Sequence, residues 1–203
     1  MRSFLHIPAE ESGDGLVLTH GAGADCRSRL LTAVAGAFAE AGFLVLRCDL
    51  PFRQRRPHGP PSPATSALDR EGLRRAVGLL QKETHGRIFL GGHSYGGRQS
   101  TILATEDKSL AAGLLLLSYP LHPPRRPLHL RTAHFTELAT PALFVHGSRD
   151  PFGTLKEMTE ALQLIAASTR LLEIDGGGHD LLPRNSAAEV PARIVSAFQE
   201  FFR

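Results

Sequence analysis

Short unbroken apolar runs alternate along this chain with segments whose apolar residues fall three and four positions apart. The runs read as strands buried on both faces, and the spaced segments as helices with one buried face. Strands are expected at Ser3 to Ile7, Leu16 to Thr19, Phe43 to Leu46, Ile88 to Leu90, Leu114 to Leu117, Ala142 to Val145 and Leu171 to Ile174. Leu30, Leu31, Val34, Phe38 and Ala41 predict a helix that Gly42 stops, and Leu73, Ala76, Val77 and Leu80 predict another. Ser66 with Asp69 is a capping-box-like start for the latter, and Thr154 with Glu157 caps a helix through Met158 and Leu162. Further helices are expected from about Gly96 to Thr105 and from about Pro191 to Phe202. Ala9 to Gly15 reads as a hairpin-like turn, and Pro51 to Pro63 as a long Pro- and Arg-rich loop.

This alternation predicts one α/β domain over residues 1–203, with a mainly parallel sheet of six to seven strands and helices on both faces. Ligands of such sheets bind beyond the carboxyl ends of the strands. The chemically notable residues fall at such ends. Gly92-His-Ser-Tyr-Gly96 follows the Ile88 strand and opens a helix, the setting of a G-x-S-x-G nucleophile elbow. Gly92 and Gly96 suit a tight turn because a Cβ would crowd it and glycine accepts positive φ.

A serine hydroxyl needs a base to take its proton and an acid to orient that base. The chain order nucleophile, acid, histidine selects Ser94, Asp150 and His179, each just past a strand. Asp150 also suits a turn or helix cap, and Asp49 is the alternative acid, though better suited to organising its loop. The oxyanion of a tetrahedral intermediate needs two N–H donors. Tyr95, after the nucleophile, and Ala22, in the His20-Gly-Ala-Gly23 loop, are the candidates, with His20 itself structural.

Composition narrows the classes. With 203 residues, 42% hydrophobic and 21% charged, a full core is expected. A net charge of +3, two tyrosines and no tryptophan argue against a nucleic-acid partner. The N-terminus lacks a signal-peptide apolar region and the Leu110 to Leu117 run is too short for a membrane span, so a cytoplasmic protein is expected. Cys26 and Cys48 read as reduced, buried thiols, and no H-x-x-x-H or C-x-x-C spacing suggests a metal. The mechanism calls for no cofactor. No oligomeric state follows from the sequence.

The motif residues resemble a known family. Leu18-Thr-His-Gly-Ala-Gly23, Asp49-Leu-Pro51, Gly91-Gly-His-Ser-Tyr-Gly-Gly-Arg98, Ser118-Tyr-Pro-Leu-His-Pro-Pro124, Gly147-Ser-Arg-Asp-Pro-Phe-Gly153 and Gly177-Gly-His-Asp180 are similar to small serine α/β-hydrolases of the dienelactone-hydrolase-like branch. More narrowly, the chain resembles small cap-less predicted hydrolases related to a testis-expressed vertebrate protein. The resemblance implies the α/β-hydrolase fold and cleavage of a carboxylic ester or related acyl bond. Dienelactone hydrolases proper carry a cysteine nucleophile, so Ser94 implies ordinary serine-hydrolase chemistry. His93 stands where the narrower group carries lysine and is given no catalytic role.

Residues 119–138 are too few and too proline-rich for a helical cap, so loops should border the pocket. The loops 51–63 and 120–138 carry clustered arginines, a feature suited to carboxylate or phosphate. Arg53, Arg125, Arg131 and His134 are the candidate substrate contacts; a small-molecule acyl substrate is the expectation, anionic if these arginines meet it, and a solvated basic surface loop is the other reading. A hydrolase-fold binding or scaffold protein without activity is the alternative.

Overall fold

The computed structural model describes residues 2–182 and 188–203. One sheet contains β1 (Ser3–His6), β2 (Gly15–Thr19), β3 (Leu44–Cys48), β4 (Ile88–His93), β5 (Gly113–Leu117), β6 (Ala142–Gly147) and β7 (Thr169–Ile174). Their spatial order is β1-β3-β2-β4-β5-β6-β7, and all neighbours are parallel except β1 with β3. With helices on both faces, this is the α/β-hydrolase fold.

The sheet is buried on both sides because its apolar runs supply both. Leu16 and Leu18 of β2 face the layer of α1 (Arg29–Glu40) and α6 (Val190–Phe201), and Val17 faces the other. That other layer holds α3 (Ser66–Leu80), α4 (Tyr95–Glu106) and α5 (Leu155–Leu162). The same alternation recurs at Leu114 to Leu117 and Leu143 to Val145. Phe198 of α6 anchors the first layer, its ring 5.0, 4.8 and 4.5 Å from those of Phe38, Phe89 and Phe202. Each such aromatic pair adds about 0.5–1.5 kcal/mol beyond area burial.

Three local expectations are corrected. Ala9 to Gly15 does not close a hairpin: β1 crosses over to pair antiparallel with β3, at the sheet's edge. The Leu16 run is apolar on both faces and takes two parallel neighbours, β3 and β4, instead. The Pro-rich loop opens with a short helix, α2 (Pro51–Arg55), with proline at a position where its missing N–H costs nothing. The capping box at Ser66 does not form. Asp69 turns inward, accepting the Phe52 N–H at 2.8 Å and the Tyr95 hydroxyl at 2.8 Å, and so ties α2 and α4 to α3. The Thr154–Glu157 capping box does form at the start of α5.

After β2 the chain moves one way across the sheet to β3, and then back past β2 to β4. The loops leaving β2 and β4 therefore diverge and open a crevice between them, the switch point where such sheets bind ligands. The His20 loop and Ser94 sit on its two sides.

Candidate active site

Ser94 is the single residue between β4 and α4. Its φ of 52° and ψ of −115° are unusual for any residue with a side chain. The Ser94 N–H donates to Leu117 O at 2.8 Å, and its carbonyl accepts the Arg98 N–H at 3.0 Å, which pin the turn. A Cβ on Gly92 would lie 2.8 Å from Thr19 O, and one on Gly96 2.7 Å from His20 O. The two glycines thus serve close approach of β2, and the left-handed backbone falls on Ser94 itself.

Asp150 and His179 leave β6 and β7 and converge on that serine. His179 Nε2 lies 2.8 Å from Ser94 Oγ, and its Nδ1 lies 2.8 and 3.0 Å from the two Asp150 carboxylate oxygens. The carboxylate can only accept, so Nδ1 carries the proton and Nε2 is free to take one from Ser94. Burial pushes the Asp150 carboxyl up, but the His179 hydrogen bond and charge and the Phe152 N–H together hold it below its ordinary value. Asp49 plays no part here: it accepts the Cys26 N–H at 2.7 Å and pairs with Arg2 at 3.1 Å. Asp175 and Asp180 also point elsewhere, to Ser148 and to the Leu182 N–H.

Two further side chains hold His179. Phe152 stacks on the imidazole at 4.1 Å between centroids. His93 Nε2 donates to the His179 carbonyl at 2.6 Å. Burial, then the neighbouring His179, lowers the His93 pKa to about 4, so it stays a neutral donor. Nothing in the sequence pattern distinguished either residue, because both contacts span distant segments.

The loops of β6 and β7 touch at Gly147. A Cβ there would stand 2.3 Å from Gly177 O, against backbone that cannot rotate aside. Gly147→Ala is expected to destabilise the fold by about 3 kcal/mol and, by moving Asp150 from His179, to cut turnover about 100-fold. Urea melts and ester assays below the melting range test both.

The β2 loop supplies the facing wall. His20 is fully buried, with Nδ1–H donating to Gly21 O at 2.8 Å and Nε2 accepting the Leu50 N–H at 3.1 Å. This fits the expected structural role. Ala22 and Tyr95 both line the cavity above Ser94, and among the described residues neither amide N–H has a hydrogen-bond acceptor. Two free donors beside a serine suit a developing oxyanion. Cys26 and Cys48 are buried and unbonded to each other, and burial pushes both thiols up to about 12.

The cavity measures about 640 Å³, the size of a small-molecule site. Of the four expected substrate contacts, only Arg131 lines it. Arg53 is buried, and its guanidinium donates to the carbonyls of Ala22, Ala24, Arg56 and Gly59. It braces the Ala22 loop and does not line the cavity. Arg125 is exposed outside the cavity. His134 Nε2 meets Thr101 Oγ1 at 2.8 Å, and burial, then the Arg98 charge, lowers its pKa to about 4, so it brings no cation. Arg98 does line the cavity. Its spacing carries a signal in the sequence, since four residues after Ser94 is about one helical turn. Among the described residues no group of three or more His, Cys, Asp or Glu side chains could hold a metal ion.

Between Ser118 and Leu138 there is one 3-10 turn, Phe135–Glu137, and no cap helix. No helix among the described residues is long and apolar enough to cross a membrane.

The comparisons with known proteins agree with this architecture. A dienelactone hydrolase from Anabaena variabilis is 22% identical, with a TM-score of 0.76 over 99% of this chain and 92% of its own. A lidless α/β serine hydrolase from Xanthomonas campestris gives 15%, 0.77, 98% and 88%. Est1E from Butyrivibrio proteoclasticus, solved with ferulic acid bound, gives 17%, 0.77, 98% and 94%. These similarities show the fold. The model of the alpha/beta hydrolase domain family matches residues 13–201, nearly the whole chain, and the protein belongs to that family.

Proposed function

We propose that this protein is a serine hydrolase that cleaves a carboxylic ester or related acyl bond through an acyl-enzyme. The observation that carries the reading is the 2.8 Å contact of His179 Nε2 with a serine in left-handed backbone, with Asp150 on the opposite ring nitrogen. Ser94 Oγ attacks the acyl carbon as its proton passes to His179 Nε2. The carbonyl oxygen becomes an oxyanion facing the Ala22 and Tyr95 N–H groups. Its collapse breaks the bond to the leaving group, which takes the proton from Nε2. A water then repeats the cycle on the acyl-serine, returning the proton and releasing the acid. His179, Asp150 and Ser94 need no further group for these steps. The motif residues and the absence of a cap helix support kinship with the small cap-less hydrolases related to a testis-expressed vertebrate protein. A small-molecule acyl substrate suits the cavity's size.

The test is covalent labelling with a fluorophosphonate, which reports an activated serine independently of substrate identity. The wild type should label, and His179→Ala should slow labelling by about 1,000-fold or more while leaving Ser94 in place. A folded wild type that resists both this probe and a smaller phosphonylating agent would favour the alternative, a binding protein on a hydrolase fold.

A further inference from the structure

Arg98 and Arg131 both line the cavity above Ser94, and no Asp or Glu lines it with them. Other arginines of this chain find carboxylates: Arg70 meets Glu106 at 2.8 Å, and Arg87 meets Asp14 at 2.8 Å. Among the described residues no ion pair forms at Arg98 or Arg131, and residues 183–187 contain no acid in their sequence. Arg98 Nε is buried without a hydrogen-bond partner, an expensive condition for a charged donor. Arg131 is half-buried and held by backbone: its N–H donates to Leu121 O at 2.8 Å, its carbonyl accepts the Tyr119 hydroxyl at 2.7 Å, and Nη1 donates to Pro120 O at 3.2 Å. Burial, then the Arg98 charge, lowers the Arg131 pKa, so the two guanidinium groups repel each other across the pocket wall.

We infer that Arg98 and Arg131 form an anion subsite for the non-reacting end of the substrate, which is an ester bearing a carboxylate. The inference rests on the serine-hydrolase reading and gives that reading a substrate class. Two half-buried cations without counter-charge are costly until an anion bridges them, and a planar guanidinium fork matches a carboxylate. The placement suits this use. Arg98 lies one turn, about 6 Å, along α4 from Ser94, so a short linker joins the scissile carbonyl to the charge. Gln99, also in the cavity wall, accepts a hydrogen bond from Arg70 Nη1 on its amide oxygen at 3.1 Å. Of the four residues expected from the arginine-rich loops, Arg131 takes part, and Arg53, Arg125 and His134 lie outside the cavity lining.

Two matched pairs of esters test it. 4-Nitrophenyl hemiglutarate against 4-nitrophenyl valerate puts the charge on the acyl side. 4-Acetoxybenzoate against 4-acetoxybenzamide puts it on the leaving group. Each kcat/KM is divided by the ester's own hydroxide-catalysed rate constant, which removes intrinsic reactivity. In at least one pair the carboxylate ester should lead by about 10- to 100-fold, the range for a hydrogen bond to a charged group. That lead should shrink to within about threefold of unity in Arg98→Gln and in Arg131→Gln, with Arg98→Lys retaining part of it. The two arginines sit on separate elements, so one variant carries the test if the other fails to fold, and the wild-type ratio needs neither. No lead in either pair, or a lead that survives both glutamine substitutions, would overturn the subsite. Hydrolysis of the neutral esters and fluorophosphonate labelling report the hydrolase reading separately. A protein active in those assays but without the lead loses only the subsite, and one silent in all of them loses both.

Discussion

Ser94→Ala is expected to lower kcat/KM for any ester substrate by about 10⁴- to 10⁶-fold and to abolish fluorophosphonate labelling. The alanine leaves His179 and Asp150 paired, since their hydrogen bonds do not involve the serine side chain. It removes the attacking oxygen and leaves whatever catalysis the Ala22 and Tyr95 amides give to attack by water. A double variant, Ser94→Ala with His179→Ala, should therefore be scarcely worse than either alone, because the two act as one unit. Single-turnover assays at saturating enzyme measure this. A Ser94→Ala protein retaining a tenth of wild-type turnover would exclude Ser94 as nucleophile. Alanine keeps a Cβ, so the strain of the positive φ persists in the variant.

Asp150→Asn is expected to cost about 10⁴-fold in kcat/KM with little change in shape. An asparagine amide can donate to His179 Nδ1, which moves the imidazole proton to Nε2. Nε2 then presents a donor to Ser94 Oγ across the 2.8 Å contact, where catalysis needs an acceptor. The charge that steadies the imidazolium is lost as well. The same variant makes a signed prediction for stability. Asp150 has a folded pKa below its unfolded one, so its ionised form stabilises the fold above the ordinary carboxylate pKa of about 3.9, and the contribution fades as the pH falls through the lower, folded value. The stability gap between wild type and Asp150→Asn should therefore be present at neutral pH and close in acid. Urea melts across that range would show it. A gap that widens in acid would contradict the hydrogen-bonded, charged Asp150.

The site divides by how local its determinants are. Ser94 was legible because its constraint is local: a strand, two glycines that admit β2, and a helix, all within Gly91 to Gly97. The order of Ser94, Asp150 and His179 was legible because a parallel sheet delivers every loop to one edge. The oxyanion candidates followed from the same edge. Arg53 misled for a related reason. A basic residue in a Pro-rich loop beyond a strand end looks free to meet substrate or solvent, and only the folded loop brings four carbonyls around it. The contacts by which His93 and Phe152 hold His179 are not legible in the sequence, because they join residues 86 and 27 positions apart in the chain.

Strand runs, helix periods and strand-end glycines determined from the sequence alone that a mainly parallel sheet forms, and which residues stand at its carboxyl edge. Both are consequences of apolar periodicity, a property of neighbouring positions. Tertiary structure decided the rest: that β1 lies antiparallel beside β3, that Asp69 ties three helices together, and that Arg98 and Arg131 face one cavity without a counter-charge. Those outcomes depend on which long-range partners satisfy buried polar groups. A polar side chain carries no periodic signal of its partner, so its role emerges only when distant segments meet.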